Sequence, residues 1–223
     1  MEYIDKIFYI NLEKRKDRLR DIQKELETMN FPPDKVERFR AVELGQIGCI
    51  QSHIGVLKLA KERHYRNVLI LEDDFHFLVD REIFDQEIRT FFQKGLDFYV
   101  LMLSYLCYGS KPYDEQLSIG TDCQDGSGYI VHESIYDSLI GWLSFASNEL
   151  LKTGAHWLYM NDQIWKKLQK DDKWFILNRR LGQQNGSLSD LANTEVVLSE
   201  DGQIIIRENV NQSGDQGLLF QRG

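Results

Sequence analysis

The sequence predicts an α/β domain, Rossmann-like in its layering, with a mostly parallel central sheet flanked by helices. Two observations carry this expectation. Over the first hundred residues, short apolar runs alternate with amphipathic segments in the order strand, helix, strand, helix, strand, the pattern of strands joined through helices. One of those runs, Val68-Leu69-Ile70-Leu71, is four consecutive apolar residues, as expected of a strand covered on both faces.

Taken in order, Ile4 to Ile10 reads as the first strand. Asn11 to Arg18 turns into a helix whose Leu19, Ile22 and Leu26 recur at helical spacing, and Phe31-Pro32-Pro33 stops it. Phe39 to Val42 reads as a short strand, and Leu44 to Gly48 as a glycine-containing loop. Ser52 then caps a helix with Ile54, Leu57 and Ala60 on its inner face. After the central strand, Arg81 to Gln93 forms a helix carrying Phe84, Ile88, Phe91 and Phe92, and Phe98 to Leu103 another buried strand. Tyr105 to Tyr129 reads as loop. Helices over Glu133 to Leu143 and Asn161 to Gln169, a strand over Trp174 to Leu177, and a hairpin about Ser-Glu-Asp-Gly complete a single domain over 1–207. The polar, glycine-rich stretch 208–223 reads as a flexible tail.

Composition narrows the function classes. The chain has 223 residues, 42% of them hydrophobic, and a net charge of -8, which argues against a nucleic-acid binder held by a basic face. No apolar run approaches the ~20 residues of a membrane span. The amino-terminal stretch has neither the basic start nor the long apolar core of a signal peptide, so a cytoplasmic protein is expected. Cys49, Cys107 and Cys123 are odd in number and widely spaced, which suits reduced thiols in or near the core.

Three local features point to chemistry. Glu72-Asp73-Asp74 follows the central strand directly, and open α/β folds place ligands at such strand ends. Adjacent acids repel, and an oxygen-ligated divalent cation offsets them; the alternative is a solvated acidic turn. Gly45-Gln46-Ile47-Gly48-Cys49-Ile50-Gln51-Ser52-His53 places glycines ahead of a helix start, which suits a phosphate; the blander reading is a capped loop with His53 exposed. Arg15 and Arg18 stand near one helical turn apart after the first strand and suit phosphate oxygens, or else form part of a solvated face.

In this order the three features resemble glycosyltransferase family 25, which includes lipooligosaccharide glycosyltransferases and procollagen galactosyltransferases. The matching stretches are Ile10-Asn11-Leu12 with Arg15 and Arg18, Phe39-Arg40-Ala41-Val42, Gly48-Cys49 with Ser52-His53, Val68 to Asp74 with Phe77, Gly128-Tyr129-Ile130-Val131, Asp162, and Ser189-Asp190. The resemblance implies a GT-A-like fold and inverting transfer of galactose or glucose from a UDP-sugar to a saccharide or hydroxylysine-type protein acceptor, with Mn or Mg as the metal. It implies donor contacts from Asn11, Leu12, Arg15, Arg18, Ser52, His53, Glu72 and Asp73. Asp74 is then the first metal ligand, with Asp73, Gln183 and Asp190 as further ligands. Asp162 is the base that accepts the acceptor's proton, and Asp190 is second to it. This chain departs from the family pattern at Gln46, where Glu is common, and has no His after His156. A nucleotide-sugar-binding protein without turnover and a metal-dependent phosphohydrolase are the rival expectations.

Overall fold

The computed structural model describes residues 1–184 together with two strands at 194–198 and 204–208. In chain order the elements are β1 (Lys6–Asn11), α1 (Lys16–Thr28), β2 (Val36–Arg40), α2 (Gly45–Glu62), β3 (Asn67–Glu72), β4 (Phe75–Phe77) and α3 (Arg81–Gln93). There follow β5 (Val100–Met102), β6 (Leu106–Pro112), β7 (Leu117–Gln124), β8 (Gly128–His132), α4 (Tyr136–Thr153), α5 (His156–Tyr159), α6 (Asn161–Ile164), β9 (Trp174–Leu177), β10 (Gly182–Gln184), β11 (Thr194–Leu198) and β12 (Ile204–Glu208).

Eight strands form one sheet in the order β2-β1-β3-β8-β5-β9-β7-β6. β2, β1, β3, β5, β9 and β6 point one way, and β8 and β7 the other, so the sheet is mostly parallel, as expected. The continuous apolar runs arise because both faces are covered. On β3, Val68 and Ile70 pack towards α2 and α4, while Leu69 and Leu71 pack towards α1 and α3. Phe8 and Ile10 alternate with Ile7 and Tyr9 on β1 in the same way, and Trp174 and Ile176 alternate with Phe175 and Leu177 on β9. This two-sided burial removes the period-two polarity of a half-exposed strand.

Several expectations are corrected. Gly45 to Gly48 is the first turn of α2 and not a loop. The turn lies so close to the preceding segment that a Cβ on Gly48 would stand 2.1 Å from the Val42 carbonyl oxygen. Ser52 therefore sits inside the helix. Its hydroxyl donates to Gly48 O at 2.6 Å and accepts from Val42 N at 2.9 Å, tying the helix to the segment before it rather than capping it. Tyr105 to Tyr129 holds the β6–β7 hairpin and the start of β8. Register shifts around Gly109 and burial of Leu117, Gly120 and Cys123 at every third position hide the two-residue period. The helix expected over Asn161 to Gln169 is the short α6 followed by 3-10 turns. There the buried Trp165 and Gln169 side chains both donate to Cys123 O.

The two strands of the expected hairpin appear as β11 and β12, paired antiparallel. Ser189-Asp190, the hairpin turn, and the tail beyond β12 lie outside the described residues.

Candidate active site

β1 and β3 are parallel neighbours, so their carboxyl ends bring Asn11 and Glu72-Asp73-Asp74 to one edge of the sheet. β8 runs the other way and contributes its beginning: Glu72 N donates to Ser127 O at 2.8 Å, and Gly128 stands opposite Leu71. Gly128 and Gly182 both lie against the Phe75 ring, where a Cβ would approach within 2.1 and 2.0 Å. This stacking draws the segment carrying β10 onto β4 and brings Gln184 to the acidic cluster.

The three acids have different surroundings. Asp73 is held from two sides, its Oδ2 accepting from Asn11 Nδ2 at 2.7 Å and its Oδ1 from Arg18 Nη1 at 3.1 Å. Arg38 Nη2 donates to Asn11 Oδ1 at 2.7 Å, which fixes the amide for that task. Asp74 Oδ2 lies 3.1 Å from the same Arg18 Nη1 and accepts from Gln184 Nε2 at 3.2 Å. Its Oδ1 is buried and, among the described residues, has no hydrogen-bond partner. Glu72 turns inward instead, with Oε1 3.0 Å from His53 Nε2, while His53 Nδ1 lies 2.9 Å from the Tyr129 hydroxyl. His53 is thus buried and not an exposed first-turn residue.

Burial pushes the carboxyls of Asp73, Asp74 and Asp162 upward. For Asp73 the Asn11 hydrogen bond and the Arg18 charge oppose this. For Asp74 the Glu72 charge adds to burial, Arg18 opposes both, and the carboxyl is pushed up to about 7. A partnerless buried carboxylate oxygen next to further acids is a donor set that fits an oxygen-ligated divalent cation. Asp74 and Asp73 are the residues that could hold one.

The other expected residues divide. Arg18 joins the cluster, whereas Arg15 folds its guanidinium onto Asp17 at 2.7 Å. Leu12 forms the turn after β1, its carbonyl accepting from Arg15 N at 3.0 Å. Gln183 is exposed and stands opposite His76 in the β10–β4 register, so the amide on Asp74 comes from its neighbour Gln184. Asp162 is half-buried, its Oδ2 3.4 Å from Asp125 N, and Asp125 in turn accepts from Ser104 Oγ and Ser127 N. The residues not foreseen are Arg38 and Asp125. Arg38 lies on the half-buried β2 and Asp125 in a turn at φ 83, and neither carries a local pattern.

The model of glycosyltransferase family 25, described as an LPS biosynthesis protein, matches residues 27–106, the family whose motifs the sequence resembles. No curated protein matches the chain. Among solved structures, mannose-1-phosphate geranyltransferase from Thermus thermophilus is similar at a TM-score of 0.48 and 10% identity, covering 86% of this chain and 77% of that one. A glycosyltransferase involved in glycosylation of the major capsid of PBCV-1 gives 0.48 and 9%, covering 84% and 96%. The glycosyltransferase GlyE of Streptococcus pneumoniae TIGR4 gives 0.47 and 12%, covering 78% and 45%. Helices flank a sheet in which most strands run one way, the layered α/β arrangement that the sequence predicts.

Proposed function

We propose that the protein is a metal-dependent, inverting glycosyltransferase that moves galactose or glucose from a UDP-sugar to a saccharide or hydroxylysine-type protein acceptor. One observation carries this reading. At the carboxyl ends of β1 and β3, the buried Asp74 keeps Oδ1 without a partner among the described residues while Arg18 stands 3.1 Å from its other oxygen. An acid and a base side by side at a strand-end crevice suit a ligand that brings both a cation and phosphate oxygens.

In this reading Asp74 and Asp73 hold the cation, which when bound neutralises charge on the departing diphosphate. Arg18 supplies a fixed positive charge at the same edge, and Asn11, braced by Arg38, keeps Asp73 oriented. Inversion requires a base on the face opposite the leaving group. Asp162 takes that role, accepting the proton of the acceptor hydroxyl as its oxygen attacks the sugar and the bond to UDP breaks. Its raised pKa brings a carboxylate nearer the range in which a base works at neutral pH. Asp190 is the second residue for this step.

Release of UDP, measured with Mn across a panel of UDP-sugars with and without saccharide acceptors, tests the reading. One donor should be consumed only when an acceptor is present. Folded protein that neither binds nor consumes any UDP-sugar contradicts it. Binding without turnover is the second reading, favoured by Gln46 and by the lack of a His after His156. It gives donor binding but no UDP release with any acceptor.

A further inference from the structure

Behind the acidic pair lies a second group of ligating atoms. Cys49 and His53 are four residues apart on α2, hence on one face of the helix, and that face meets the end of β3. Cys49 Sγ is 3.8 Å from Glu72 Oε1, His53 Nε2 is 3.0 Å from the same oxygen, and the three ligating atoms lie within 4.8 Å of one another. Tetrahedral coordination with metal–ligand bonds of about 2.0–2.3 Å sets its donor atoms roughly 3.3–3.8 Å apart. The two contacts to Glu72 already stand near that spacing.

We propose that Cys49, His53 and Glu72 form a binding site for one zinc-class divalent cation, separate from the Asp73/Asp74 pair. The ligand types select the ion. A thiolate and an imidazole suit zinc or cobalt, whereas manganese and magnesium prefer all-oxygen sets. Three protein ligands leave a fourth position for water.

The surroundings support the site. His53 and Tyr129 are each 1% exposed, so the ring is fixed, and the Tyr129 hydroxyl lies 2.9 Å from the Nδ1 that does not face the ion. A partner on the second ring nitrogen is the usual orienting contact of a metal-bound histidine. Burial and the Glu72, Asp162 and Asp74 charges push the Cys49 thiol well up, so it holds its proton while no cation is present. The same anions attract a dication. On binding, the thiol proton leaves to solvent, the His53 ring hydrogen is carried on Nδ1, and the Tyr129 hydroxyl turns to accept it. The test of this site reads metal binding and no turnover.

Titration with Co²⁺, followed by its thiolate-to-cobalt absorption in the near ultraviolet, tests the assignment. The expected result is a saturable band at one ion per chain that Zn²⁺ displaces and Mn²⁺ does not. Cys49→Ser should abolish the band with the circular dichroism unchanged, and Tyr129→Phe should weaken Co²⁺ affinity about 10-fold or more. The Cys107→Ser/Cys123→Ser double variant should keep the band. No band in the wild type, a band that survives Cys49→Ser, or one lost only in the double variant overturns the proposal. Should Cys49→Ser fail to fold, loss of the band in folded His53→Gln supports the site, and its persistence there contradicts it.

Discussion

Asp74 is a residue whose placement costs stability. It is buried beside Glu72 and Asp73, one oxygen has no partner among the described residues, and its carboxyl is pushed up to about 7 from an ordinary value of 3.8. The folded chain therefore binds that proton more tightly than the unfolded chain. The resulting stability is complete below about pH 3.8 and is lost as pH rises through about 7. Without added metal, the wild type should lose thermal stability as pH rises over that window. Asp74→Asn, which cannot ionise, should weaken less and melt several degrees higher at mildly alkaline pH, because Arg18 still has Asp73 at 3.1 Å. Parallel pH profiles for the two proteins would show that Asp74 is not the strained group. The acidic run was legible because it follows four apolar residues. The inward turn of Glu72 was not, since its partner His53 lies on α2, 19 residues earlier in the chain.

Among the elements, α3 and β9 have the bounds that periodicity predicts, because Phe84, Ile88 and Phe91 face one side of the helix and β9 is buried throughout. The start of α2 was misread for a physical reason. Its glycines look like loop residues, yet Gly48 is required by the close approach of the Val42 carbonyl. Gly48→Ala should therefore destabilise the protein by about 1–3 kcal/mol in urea unfolding, the range for forced overpacking. It should also disturb the Ser52 contacts that hold Val42 to the helix. An unchanged midpoint would mean that the segment before α2 yields easily. The β6–β7 hairpin escaped the sequence because its bulged register breaks the alternation by which strands are recognised.

At the scale of the whole molecule, the net charge of -8 gains a location. Part of the acidity is gathered where β1 and β3 end, opposed by Arg18 and braced through Arg38 and Asn11. No helix among the described residues is long and apolar enough to cross a membrane. The sheet's topology, more than any single motif, makes the site: parallel β1 and β3 aim their ends together, and the reversed β8 brings Tyr129 beneath them. In the proposed transferase, this edge holds a nucleotide diphosphate together with a divalent cation. Calorimetric titration of UDP with and without Mn²⁺, on the wild type and on Asp74→Asn, tests it most directly. The wild type should show Mn²⁺-dependent binding that falls at least tenfold in the folded variant. Wild-type binding that ignores Mn²⁺, or a variant that binds as tightly with it, would contradict a cation held by Asp74.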